Sequence, residues 1–323
     1  MTQVITLLLR YGYICTESDR FQMLAKNFAE MMSKINHAVV GMDLGKSDKP
    51  MLKFLSFLGS KLPIEKATFV HVVPSFELFS GEKLEDFILL SKDIAAKMGE
   101  MLKGLSVSHS AQKDEFIVTE GNPLDELITI IEKNKADLVV VGKSTGTENH
   151  GILLKNLVRK TNCNALVIPD KTKPEVNHIL VPFDFSQNSI KSLKTALELK
   201  AALGQEVKIT ALNVYELPSI QTYRIGKTEE QLKQFLMEDR KEAFKNFLQT
   251  YFTEDERSDL QIELAELRHS SIADAIMKFA HKHKVDFIVQ GAKGHSKVGL
   301  LLLGSVTEGV LSRTDKVPVF VVR

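Results

Sequence analysis

A chain of 323 residues is long enough for two domains that each bury a core. Its 42 Lys+Arg against 41 Asp+Glu leave a net charge of +1, a balance that excludes a chain basic overall and gives no sign of nucleic acid or an anionic membrane as the main partner. Two well-separated cysteines, Cys15 and Cys163, form no CxxC, which excludes a disulfide scaffold and a thiolate metal site and fits a reducing, cytoplasmic setting.

Residues 1–35 have no counterpart later in the chain and are expected to be a loosely packed N-terminal extension. The apolar run Val4 to Leu9 within them is too short to span a bilayer and lacks the flanks of a signal peptide. From Asn36 the sequence reads Asn36-His37-Ala38-Val39-Val40-Gly41-Met42-Asp43, and from Asn177 it reads Asn177-His178-Ile179-Leu180-Val181-Pro182-Phe183-Asp184. These are the same element twice, an apolar strand ending in an aspartate. An amphipathic helix follows each: Leu52, Leu55 and Leu58 mark one apolar face, Ile190, Leu193 and Leu197 the other, with Ser186 as N-cap and Gly204 as the stop.

Second strands are expected at Thr68 to Pro74 and Thr210 to Tyr215, then charged helices over Lys83 to Leu105 and Thr228 to Phe252, the latter opened by a capping box Thr228…Gln231. Third strands at Glu115 to Val118 and Gln261 to Ala265 lead into helices started by Asn122-Pro123 and Ser270-Ser271. Fourth strands, Ala136 to Gly142 and Val285 to Gly291, and fifth strands, Ala165 to Pro169 and Val317 to Val322, are nearly continuous apolar runs, as buried parallel strands are. Alternating strands and helices demand a parallel sheet with helices on both faces.

A repeat of about 140 residues is that of a duplicated domain, not a solenoid. The expected division is residues 36–170, a linker 171–175 and residues 176–323. An apolar fifth strand at a sheet edge would invite aggregation, so the two fifth strands are expected to shield each other across a pseudo-twofold interface, a pseudo-dimer within one chain.

The stretch from Gly291 to Ser305 follows the fourth strand of the second half and precedes a helix expected over Val306 to Ser312. Gly291 and Gly294 allow close backbone approach to a ligand, and Gly304-Ser305 places N–H groups and a hydroxyl at a helix N-terminus, which favours an anion. Ligands of open α/β sheets bind beyond the carboxyl ends of the strands near the switch in strand order, where Asp184 can accept from a ribose hydroxyl. Lys293, His295 and Lys297 could add charge at the rim, against the ordinary reading of solvated loop side chains, and His269, just before the third helix, is a candidate pocket neighbour.

Residues 36–323 resemble a tandem universal stress protein, on the strand–Asp start Val181-Pro182-Phe183-Asp184, the second strand Asn213-Val214, and the Gly-x2-Gly-x9-Gly-Ser spacing of Gly291, Gly294, Gly304 and Ser305. The resemblance implies two doubly wound, Rossmann-like domains of the adenine nucleotide alpha hydrolase type, each a five-stranded parallel sheet with helices on both faces. It implies ATP or a related adenine nucleotide, with Mg or Mn, held by Asp184, Val214, Gly291, Gly294, Gly304 and Ser305, with Pro182 lining the same pocket. The implied role is a nucleotide-dependent stress-response regulator, at most a slow ATPase and not a true enzyme, with a homodimer as a further assembly. An ATP-using enzyme of the same group and a nucleotide-free interaction scaffold are the alternatives.

The first half departs from the pattern. After Gly142 it reads Lys143-Ser144-Thr145-Gly146, and counting along the chain puts Lys155-Asn156 where Gly-Ser should recur, so residues 36–170 are expected to bind nucleotide weakly or not at all. Asp43 is kept there, and reads as a turn former. Gly142-Lys143-Ser144 imitates the end of a P-loop, but the position five residues before its glycine is Asp137. His37 and His178 read as structural, His281-Lys282-His283 as a helix terminus without metal, and no Ser-His-Asp or Cys-His array is present.

Overall fold

The duplicated strand–helix signals are realised as one continuous ten-stranded sheet. The structure, a computed structural model, describes residues 35–74, 84–108, 114–145, 148–216, 229–267, 270–293 and 303–323. The extension before residue 35, the Thr228 capping box, Gly146, His269, Gly294, His295 and Lys297 lie outside them.

The first half runs β1 (Ile35–Gly41), α1 (Asp48–Gly59), β2 (Ile64–Val73), α2 (Leu84–Met101), β3 (Glu115–Glu120), α3 (Pro123–Lys133), β4 (Leu138–Lys143), α4 (Glu148–Lys160) and β5 (Asn164–Pro169). The second runs β6 (His178–Pro182), α5 (Gln187–Leu203), β7 (Lys208–Tyr215), α6 (Glu229–Tyr251), a short α7 (Glu254–Ser258), β8 (Leu260–Glu266), α8 (Ile272–Lys282), β9 (Phe287–Gly291), α9 (Ser305–Arg313) and β10 (Val319–Val322). Strand order is β3-β2-β1-β4-β5-β10-β9-β6-β7-β8, so each half repeats the order 3-2-1-4-5. All pairs are parallel except β5 with β10, which meet antiparallel with Val319 opposite Val167 and Val321 opposite Ala165. The fifth strands therefore do more than shield one another: they hydrogen-bond, and neither is an edge.

Three helices, α3, α5 and α8, begin where the sequence places their caps. Ser186 Oγ accepts from Ser189 N at 3.2 Å, and Gly204 ends α5 with φ 142°. Asn122 Oδ1 accepts from Leu124 N at 2.9 Å with Pro123 at the first helical position. Ser271 and Asp274 form a capping box at α8. Helix α4 and the short α7, capped by Thr253 and Glu256, were not foreseen.

Two apolar layers sandwich the sheet. Phe54, Met98, Leu193 and Phe244 pack on one face, from α1, α2, α5 and α6; Leu127, Leu157, Ile276 and Val310 pack on the other, from α3, α4, α8 and α9. The duplication reaches into local detail. The residue after each strand-end aspartate takes positive φ, Leu44 at 59° and Phe185 at 63°, turning the chain toward the next helix. His37 Nε2 meets Thr68 Oγ1 at 2.7 Å and His178 Nε2 meets Thr210 Oγ1 at 2.8 Å, while Asp137 and Asp286 accept from the backbone N–H groups of Asn36-His37 and Asn177-His178. The paired Asn-His dipeptides thus tie β1 to β4 and β6 to β9 at the ends of the strands away from the pockets, and burial lowers the pKa of both histidines.

Candidate functional site

A cavity of about 590 Å³ opens beyond the carboxyl ends of β6, β7 and β9, where strand order reverses. Pro182, Asp184, Val214, Gly291, Gly304 and Ser305, separated by up to 123 positions in the chain, all line it (305 − 182 = 123). Lys293 lines it as well.

Local bonds put these groups in place. Phe183 N donates to Leu212 O at 2.8 Å and Asn213 Nδ2 to Phe183 O at 2.7 Å, which carries the strand end past Pro182. Asp184 Oδ1 accepts from Ser186 N at 3.1 Å, a turn that holds the carboxylate at the mouth of the helix. Beneath it Phe183, Phe185, Phe244 and Phe247 pack with ring centroids 4.6–5.5 Å apart, fixing α6 under the end of β6. Across the cavity, Gly304 N donates to Ala292 O at 2.8 Å and Thr307 Oγ1 to Gly291 O at 2.9 Å, so the two ends of the glycine stretch are pinned together. Gly304 is the N-cap of α9 and supplies no side-chain cap, leaving that helix start without a competing side-chain acceptor. A Cβ on Gly291 would lie 2.7 Å from Asn188 Cβ, so the position requires glycine.

The first half holds the equivalent cavity, about 420 Å³, lined by Asp43, Asp48, Gly142, Leu153 and Leu154 among others. Here the structure corrects the sequence comparison. Thr161 N donates to Leu157 O and Thr314 N to Val310 O, so α4 and α9 end in the same way. Counted back from those threonines, Gly304-Ser305 correspond to Gly151-Ile152, not to Lys155-Asn156, which lie inside α4. The segment from the strand-end glycine is then four residues shorter in the first half, 9 against 13 (151 − 142 and 304 − 291). Gly142 is followed by a helix already under way at Glu148, so Gly151 lies within α4 instead of capping it. Counting along the sequence missed this because the deletion falls inside the loop, where no periodicity marks it.

Asp48 is a second feature the sequence reading passed over. It takes the place of Ser189 five residues after the strand-end aspartate, and it is buried, accepting from Leu44 N at 2.8 Å. Burial, then the neighbouring Asp43 carboxylate, push its pKa up to about 7. The first cavity therefore gains negative charge as pH rises, where the second presents a serine hydroxyl.

Lys143, the imitation P-loop lysine, is also accounted for. Its Nζ donates to Leu311 O, Ser312 O and Thr314 O at 2.7–2.8 Å, across the two halves. Burial pulls its pKa down to about 8, and three carbonyls match the three donors of the ammonium. It caps the C-terminus of α9, the helix whose N-terminus faces the second cavity. His283 stacks on Phe279 with centroids 4.0 Å apart, and among the described residues no group of three His, Cys, Asp or Glu is arranged to hold a metal.

The universal stress protein family pattern matches residues 34–169 and again residues 175–323, once in each half. The universal stress protein MJ0577 of Methanocaldococcus jannaschii is 28% identical over 160 residues, covering 45% of this chain and 93% of its own. A universal stress protein crystal structure from Archaeoglobus fulgidus superposes over 89% of this chain and 98% of its own, with TM-score 0.62 at 16% identity, a likeness of fold. A further universal stress protein, solved in complex with cAMP, aligns at 21% identity over 46% of this chain and 97% of its own, with TM-score 0.31.

Proposed function

The chain belongs to the universal stress protein family, and from that premise we propose that its second half binds ATP or a related adenine nucleotide and acts as a nucleotide-dependent regulator in a stress response. The observation that carries this reading is the convergence of Pro182, Asp184, Val214, Gly291, Gly304 and Ser305 on one cavity of about 590 Å³, within the usual range for a small-ligand pocket. The apolar wall of Leu212, Val214 and Ile276 suits a base, Asp184 a ribose hydroxyl, and the N-terminus of α9 a phosphate.

A divalent cation, Mg or Mn, would reach this site on the phosphates. Among the described lining residues the cavity offers one carboxylate, Asp184, and the hydroxyls of Ser189, Ser305 and Thr307, a donor set that fits a phosphate-borne cation better than an all-protein cage. Among the described residues lining the phosphate end, Lys293, Gly304 and Ser305, no carboxylate or imidazole stands ready as a general base, and we propose turnover that is slow at most. Among the described residues no helix is long and apolar enough to cross a membrane. We propose a cytoplasmic location on the cysteine usage, two well-separated thiols without a CxxC.

The first half is proposed to bind nucleotide weakly or not at all. Its loop is four residues shorter, Ile152 replaces Ser305, and Asp48 brings a carboxylate into the cavity where an anion would have to lie. Calorimetry of the undialysed and the nucleotide-stripped chain with ATP should give one site per chain at micromolar affinity. Gly304→Val should weaken that site about 100-fold by blocking backbone approach. Two equal sites would overturn the asymmetry, and the absence of any adenine nucleotide binding would overturn the reading itself.

A further inference from the structure

One wall residue of the second cavity breaks the chemistry around it. Gln290 is 3% exposed, and neither its Oε1 nor its Nε2 has a hydrogen-bond partner among the described residues. Along β9 the side chains alternate. Phe287 and Val289 join the layer under α5, whereas Ile288 joins the layer under α8 and α9; Gln290, two residues on, shares the face of Ile288. On that face its neighbours around the cavity are apolar: Leu212 from β7, Ile276 from α8 and Leu303 just before α9.

The same seat in the first half holds Val141, directly before Gly142 as Gln290 is directly before Gly291. A valine there completes the apolar layer. A glutamine does the opposite, since a buried carboxamide without partners destabilises the fold by desolvation. The fold does not need the amide, and the cavity beside it is where a partner would lie.

Resting on the nucleotide reading above, we propose that Gln290 reads the base. A carboxamide presents an acceptor and a donor side by side in one plane, and this pattern is complementary to a purine edge that carries an amino donor next to a ring-nitrogen acceptor. Adenine has such an edge at its 6-amino group. Gln290 lines the same cavity as the apolar Leu212, Val214 and Ile276 and as Asp184 and Ser305, and pairing requires its amide, whose two polar atoms are covered in this structure, to turn toward the base. A ligand edge that pairs both amide atoms would satisfy the buried groups and gain selectivity at once, since an analogue lacking the amino group would leave Oε1 unpaired.

The test uses the full chain and two ligands, ATP and purine riboside 5′-triphosphate, which lacks the 6-amino group. Wild type is expected to prefer ATP about 10-fold or more, and Gln290→Met, similar in size but apolar, to shrink that preference to about 2-fold by losing ATP affinity. The nucleotide-free variant should melt at or above the wild-type temperature, since an unpaired amide has been removed. Equal affinity of wild type for both ligands, or a preference that survives in Gln290→Met, would overturn the inference while leaving the nucleotide reading intact. Failure of wild type to bind either ligand would overturn both, and the wild-type arm decides even if the variant does not fold.

Discussion

Asp48 shows how one substitution can separate duplicated sites. Its counterpart Ser189 is neutral at any pH, but Asp48 has its pKa raised from 3.8 to about 7 by burial and by Asp43. A carboxyl whose folded-state pKa lies above its unfolded value adds stability that is complete below pH 4 and is lost as pH rises through 7. Asp48→Asn cannot ionise and should escape that loss. Relative to wild type, the variant is expected to gain about 2–4 kcal/mol in urea unfolding between pH 4 and pH 8, a magnitude set by the size of the pKa shift. A constant difference across that range would mean that Asp48 ionises freely in the folded chain. Asp43 and Asp184 were legible in the sequence because each ends an apolar strand. Asp48 was not, because its neighbour Asp43 and its burial under Leu44 come from a turn with positive φ at Leu44, which no spacing rule announces.

At the scale of elements, α9 joins the two halves. Its N-terminus lines the second cavity, its C-terminal carbonyls accept from Lys143 of β4, and Arg159 of α4 pairs with its Glu308. Lys143→Met would leave three carbonyls of a buried helix end without that donor, and should lower stability by about 2–4 kcal/mol in denaturant unfolding. Lys143→Arg should not restore the loss, because a planar guanidinium cannot point three donors at carbonyls converging on one atom. Full rescue by arginine would show that charge alone matters. Caps at Ser186, Asn122 and Ser271 could be read from the sequence, being local patterns of a few residues. The register of α4 could not, since only its shared ending with α9 reveals that Gly151, and not Lys155, stands for Gly304.

For the whole molecule, β5 and β10 decide the assembly. Val319 to Val322 are all buried, between β9 on one side and β5 on the other. Residues 171–323 expressed alone would present β10 as a bare apolar edge, and are expected to pair with a second copy or aggregate. Light scattering after size exclusion should find a dimer or larger species, and a stable monomer would show that the edge is tolerated. The full chain, with that edge already paired, has no such drive from its fifth strands.

The order of strands and helices, the duplication from Asn36 and Asn177, and the places of Asp184, Gly291 and Gly304 at the second cavity could be read along the chain. These rest on local periodicity, caps and the conformational freedom of glycine, all properties of neighbouring residues. Folding in three dimensions was needed to join the fifth strands antiparallel into one sheet, to bring Lys143 to the end of a helix of the other half, and to bury Gln290 beside the cavity with no partner among the described residues. Each of these depends on contacts between residues far apart in the chain, whose geometry is set by packing and not by any pattern along it.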